Sequence, residues 1–244
     1  MRTHDGLREK VDAAGTLDEA LAALGDEVGS LGVSRFVAGF VSGATRELDG
    51  RWRRYRHRAY NFPDGWDEGW HAHNADCPYY HSCFSGRIAF DWASVRGRDD
   101  LTDPEQKAWK YLADFGLKEG FTVPVHAPGH FGFITVVGDE SERGWARRIA
   151  LQSERLFFLS HVFHEAVRRR FPDFAAAPEA AQLSTREREC LRWAAAGKTA
   201  EETGIILGLS PETVRVYLKR AMRKLGVNSR AQAVAHACRE QLFD

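Results

Sequence analysis

The 244-residue chain has no net charge, with 34 Lys+Arg against 34 Asp+Glu, so it is neither a basic nor an acidic polymer throughout. Cysteine is scarce. Its four thiols (Cys77, Cys83, Cys190, Cys238) are expected to stay reduced in a cytoplasmic chain. No apolar run long enough for a signal or membrane segment follows Met1-Arg2-Thr3-His4-Asp5, which predicts a cytoplasmic location and no membrane partner. There is no nucleophile elbow, phosphate loop or paired-carboxylate arrangement, and His126, His161 and His164 have no readable partner set. An enzyme is therefore not expected. No internal repeat is present.

The neutral total conceals an asymmetry. From Leu183 onward there are 11 Lys+Arg and 7 Asp+Glu, whereas the preceding residues hold 23 and 27. A basic C-terminal module on an acidic partner is the charge pattern of a nucleic-acid reader joined to something else.

The basic module reads as three short helices. Ser184 or Thr185 caps the first, with Glu187 placed for a capping box, and Gly197 ends it. The second starts near Thr199 and stops near Gly208. Ser210 caps the third, with Pro211 at its first position. Val214, Leu218, Ala221 and Leu225 form an inward stripe at helical spacing, which leaves Arg215, Lys219, Arg220, Arg223 and Lys224 on the other faces. An apolar back and a cationic front after a tight turn make a helix-turn-helix. The plainer alternative is a solvated charged face on a helical hairpin. The coincidence of caps, turn glycine and five cations favours DNA binding.

Upstream, Leu17, Leu21, Leu24, Val28 and Leu31 predict an amphipathic helix. Residues 35–41 and 51–60 read as strands joined by a turn at Gly50. Short helices are expected over 64–73 and 77–85, and a strand over 88–92. Asp103-Pro104 opens another helix. Residues 120–126 and 131–137 form a hairpin across Pro128-Gly129, and a long helix from Ser141 or Glu142 runs to Arg170. The predicted fold is an α+β N-terminal domain (1–170), an antiparallel sheet sandwiched by helices, joined by a linker (171–182) to an all-α domain (183–244).

The C-terminal stretch resembles the helix-turn-helix domain of LuxR-type transcriptional regulators through Leu183, Thr185, Arg186, Glu187, Glu189, Leu191, Trp193, Gly197, Lys198, Thr199, Glu202, Leu209, Ser210, Thr213, Val214, Lys224, Leu225, Arg230 and Ala233. Thr203-Gly204 departs from the family's Ile-Ala, and Gly204 is expected to cost about 1 kcal/mol of helix stability relative to Ala. The resemblance implies a homodimer on a pseudo-palindromic double-stranded operator. Arg215, Val216 and Lys219 are assigned to base edges. Arg220, Arg223 and Lys224 are assigned to phosphates with Lys198 and Thr199, and Thr213 lies on the same DNA-facing turn.

The N-terminal domain is similar to the autoinducer-binding domain of the same regulators through Pro63, Trp66, Pro78, Trp92, Gly116-Leu117, residues 120–124 and Gly132. That similarity implies a small-molecule signal of the N-acyl-homoserine lactone class and no cofactor. Carried over by position, Trp66 donates to the lactone carbonyl, Trp92 packs on its ring and Thr135 reaches the acyl amide. Trp109 reads as core, and so does Trp70 from its residue type alone. The family's amide-accepting Asp is replaced by Cys77, with Asp76 one residue early as a substitute. Phe62 and Trp70 stand where the family often has Tyr.

Two other inputs stay open. His71, His73, Cys77, His81 and Cys83 are metal-ligand types at close spacing and suggest metal or thiol sensing, although the spacing fits no standard zinc pattern. A ligand-independent regulator with an aromatic core in place of the pocket is the other.

Overall fold

The computed structural model describes residues 5–42, 51–127, 130–138, 144–175, 183–239 and 242. They fall into two compact units, divided after Ala175. The Gly50 and Pro128-Gly129 turns and the expected helix start at 141–142 lie outside the described residues.

The first unit holds a five-stranded sheet in the order β2-β1-β5-β4-β3. Its strands are β1 (Arg35–Ser42), β2 (Arg56–Tyr60), β3 (Phe90–Asp91), β4 (Glu119–Ala127) and β5 (His130–Gly138). The pairs β1–β2, β3–β4 and β4–β5 are antiparallel. Side chains alternate across a strand, and this sheet is apolar on both faces. Phe36, Ala38, Phe40, Val123, Ile134 and Val136 join the core built with α1 (Asp5–Ala13), α2 (Leu17–Gly29) and α7 (Trp145–Arg170). Val37, Phe131, Phe133 and Val137 face the opposite, aromatic core. That core is closed by α3 (Trp66–Trp70), a 3-10 turn (Asn74–Asp76), α4 (Pro78–Ser82), α5 (Ala93–Arg96) and α6 (Asp103–Asp114).

Several sequence expectations move. The α1 helix had no assigned element, and strand β2 begins only at Arg56, not Arg51. The cap of α6 is Thr102, which forms a capping box with Glu105, so Asp103 is already helical. The stretch expected as linker starts structured. Helix α8 (Pro172–Ala175) follows α7 directly, and Phe174 packs edge-on against Phe40 with ring centroids 5.0 Å apart. Phe171 and Phe174 provide apolar surface that holds these residues on the first unit. Residues 176–182 lie outside the described residues.

The second unit is α9 (Thr185–Ala195), α10 (Ala200–Leu207), α11 (Pro211–Lys224) and α12 (Arg230–Arg239) around Leu191, Val214, Leu218, Ala221 and Ala233. Capping boxes open α9 (Ser184 with Glu187) and α10 (Thr199 with Glu202). Gly208 ends α10 at φ 66°, a left-handed turn that costs glycine little.

Candidate functional site

In the first unit, Phe62, Trp66 and Trp70 recur every four residues, so they lie along one side of α3 and its lead-in. Trp66 sits 4.6 Å from Phe62 and 5.3 Å from Trp70, centroid to centroid. These three, with Trp92 and Thr135, line one cavity beneath the sheet. Tyr55, Tyr79, Phe133 and Thr122 complete much of the wall. The free space inside is only about 20 Å³, on the scale of one water molecule.

Polar groups in this wall are mostly paired with one another. The Thr122 and Thr135 hydroxyls, opposite each other in register, lie 2.9 Å apart. The Trp92 indole N–H donates to Thr122 Oγ1 at 3.0 Å, and the Trp92 ring stacks on Tyr79 at 3.9 Å. Trp70 Nε1 donates to Tyr55 Oη at 3.2 Å. Trp66 differs. Trp66 is 1% exposed, and its indole N–H has no acceptor among the described residues. A buried donor left unpaired costs about 1–3 kcal/mol, so a group built this way calls for an acceptor.

Asp76 is placed elsewhere. It lines an open cleft with Trp52, His81 and Glu105, outside the aromatic cavity. The one-residue offset decides this. Cys77 is buried at the start of α4, while Asp76 ends the preceding turn on the outer side. The cavity therefore has no carboxylate among its lining residues.

The His/Cys constellation is likewise dispersed. Cys77 and Cys83 are buried in the aromatic core, where loss of water pushes the Cys77 thiol up to about 12 and the Cys83 thiol higher than usual. Both remain protonated at neutral pH and are poor nucleophiles and ligands. His81 is engaged by Glu105 (2.8 Å) and the Ala75 carbonyl (2.7 Å), and His73 packs on Tyr111.

In the second unit, Val214, Leu218 and Ala221 are buried on α11, so Arg215, Val216, Lys219, Arg220 and Arg223 emerge on its exposed side. The apolar Val216 is 47% exposed. No ion pair holds Lys219, Arg220 or Arg223 among the described residues, whereas Arg215 pairs with Glu201 of α10 and with Glu212 at 2.9 Å. Lys198 bonds Glu202 at 3.1 Å, and Thr199 and Thr213 serve the caps of their own helices. Lys224, assigned to phosphates from the sequence, has a partner inside the unit. Its ammonium lies 2.7 Å from the buried Glu187 carboxylate and bridges α11 to the capping box of α9. Its partner within the unit is therefore internal.

Among the pocket residues not found from sequence are Tyr55, Tyr79, Thr122 and Phe133. Tyr55 had a readable signal, because it alternates with Arg54 and Arg56 at the edge of β2. The Thr122–Thr135 pair needed the hairpin register, which the sequence alone leaves free.

The chain matches the autoinducer binding domain over residues 16–167 and the luxR family of bacterial regulatory proteins over residues 181–237. It is 31% identical to the transcriptional activator protein TraR of Rhizobium radiobacter, over 65% of this chain and 67% of that one. It is 30% identical to the HTH-type transcriptional regulator y4qH of Sinorhizobium fredii over 72% of this chain, and spans about half of that relative's length, 54%. The crystal structure of Escherichia coli SdiA superposes with a TM-score of 0.71 at 22% identity, over 99% of this chain and 98% of that one, which shows the shared fold. With an autoinducer binding domain on most of its first unit and a luxR-type reader as its second, this chain belongs to the LuxR family of quorum-sensing transcriptional regulators.

Proposed function

We propose that the first unit, through Ala175, binds an N-acyl-homoserine lactone or a close relative in the aromatic cavity, and that residues 183–244 carry the result to DNA in the cytoplasm. The orphaned, buried Trp66 N–H carries this reading. A lactone carbonyl supplies the acceptor it lacks. Phe62, Trp70 and Trp92 give apolar walls, and the Thr135 hydroxyl reaches the acyl amide. With no carboxylate in the wall, the amide N–H turns to a neutral oxygen, which favours a signal that depends less on that bond.

About 20 Å³ holds no such molecule, so entry requires the aromatic side chains to part. Binding energy is then drawn on to open the core, and ligand that binds only the folded chain stabilises it by mass action. The stabilised chain dimerises and sets two α11 helices into successive major grooves of a pseudo-palindrome. Arg215, Val216 and Lys219 face base edges, and Arg220 and Arg223 face phosphates with Lys198, Thr199 and Thr213 nearby. The test is mass spectrometry of small molecules extracted from protein produced beside lactone-making cells. A stoichiometric acyl lactone is expected. An empty extract together with full operator binding by the untreated protein contradicts the receptor reading.

That outcome belongs to a second reading, which the near-closed cavity favours. Here the aromatic side chains fill the space a signal takes in the receptor, and the regulator acts without one.

A further inference from the structure

Outside the cavity wall, strand β2 and helix α3 bring three metal-ligand side chains together. His57 lies on β2, and its buried imidazole places Nε2 2.5 Å from Asp67 Oδ1. Asp67 and His71 are four residues apart across one turn of α3, and the His71 ring lies 5.0 Å from that of His57. One ligand atom from each residue can be chosen so that all three lie within 4.8 Å of one another. No other set of three such side chains converges in this way among the described residues. In the sequence His71 groups instead with His73, Cys77, His81 and Cys83, and only the fold brings it to His57 and Asp67.

We propose that His57, Asp67 and His71 form a binding site for a first-row divalent cation of the zinc class. Two imidazoles and a carboxylate suit such an ion, with solvent completing the shell. The ion takes the place of the proton shared between His57 Nε2 and Asp67. Bonds of 2.0–2.1 Å in a tetrahedral shell set ligand atoms about 3.3 Å apart. His57 and Asp67 therefore separate slightly, and His71 swings inward. The side chains that must move are the exposed ones, and His57 is held by the sheet.

The site bears on the cavity from behind. Trp66, next to Asp67, meets the His57 ring edge-on with centroids 5.4 Å apart. One turn of α3 thus presents Trp66 and Trp70 inward and Asp67 and His71 outward. A bound cation pins that turn to β2 and stiffens the wall that carries the orphaned donor. The inference stands whether or not the cavity takes a lactone.

The test uses tag-free full-length protein stripped with a chelator, titrated with Zn2+ by calorimetry and with Co2+ by visible absorption. One saturable equivalent is expected, with Co2+ d–d bands of a low-coordinate nitrogen and oxygen site. Asp67→Asn and His71→Ala should each weaken Zn2+ by at least about tenfold. Circular dichroism checks their folding, and His71→Asn replaces the alanine variant if helical content falls. No saturable binding, or wild-type affinity in both variants, overturns the site. The second outcome assigns the metal to another group, such as the exposed Cys238.

Discussion

At the scale of single residues, the cavity is defined by what Trp66 lacks. Trp66→Phe keeps the ring and removes the N–H. It should weaken an acyl lactone by about 1–3 kcal/mol, measured by calorimetry, while leaving the unliganded fold at least as stable. His164 is a buried base on α7, and loss of water lowers it to about 3 from its ordinary value near 6.5. Its folded value lies below its unfolded one. Stability from this group is thus complete above pH 6.5 and is lost as pH falls below it, by up to about 1.4 kcal/mol per pH unit. His57, also lowered mainly by burial, adds in the same direction. Six of the seven tryptophans lie in the first unit, so urea unfolding followed by tryptophan emission reports on it. The slope should flatten in His164→Gln. Of the cavity wall, Phe62, Trp66, Trp70, Trp92 and Thr135 were legible because the family resemblance carries those positions over, while Tyr55, Tyr79 and Phe133 were not. Asp76 was misplaced because a one-residue offset decides which side of a turn a carboxylate takes.

At the scale of elements, the reader is where sequence reasoning held best. Caps, turn glycines and an apolar stripe are local signals, and Ser184, Thr199 and Ser210 each cap the helix expected of them. Gly204 shows the limit of that reasoning. Helix propensity alone predicts a gain of about 1 kcal/mol on changing it to Ala. A Cβ there would come within 2.6 Å of the Leu209 carbonyl oxygen, where the turn into α11 crosses α10. Gly204→Ala should therefore lower the melting temperature of the reader, and a rise would contradict this packing. The cations of α11 separate by role. Arg215→Ala should reduce discrimination between operator and random DNA by about 1–3 kcal/mol, read by competition binding. Arg223→Ala should weaken all sequences alike and reduce the salt slope by about one. Equal weakening of all DNA by Arg215→Ala would remove that residue from base readout.

At the scale of the whole molecule, a nearly filled aromatic cavity and a complete DNA reader share one chain. The charge asymmetry and the two-part fold were readable from composition and periodicity. The closure of the cavity was not, because it depends on how Phe62, Trp66, Trp70 and Tyr79 pack across a sheet. The central claim is that a lactone opens this cavity and is held through Trp66. Its most direct test is the melting temperature of the full chain, with tryptophan emission as readout, across a panel of N-acyl-homoserine lactones of increasing chain length. At a hundredfold excess over the dissociation constant, a bound signal stabilises by about 2.7 kcal/mol. The account predicts a concentration-dependent rise in melting temperature with a subset of the lactones, much reduced in Trp66→Phe. No shift with any lactone, or an equal shift in the variant, contradicts it.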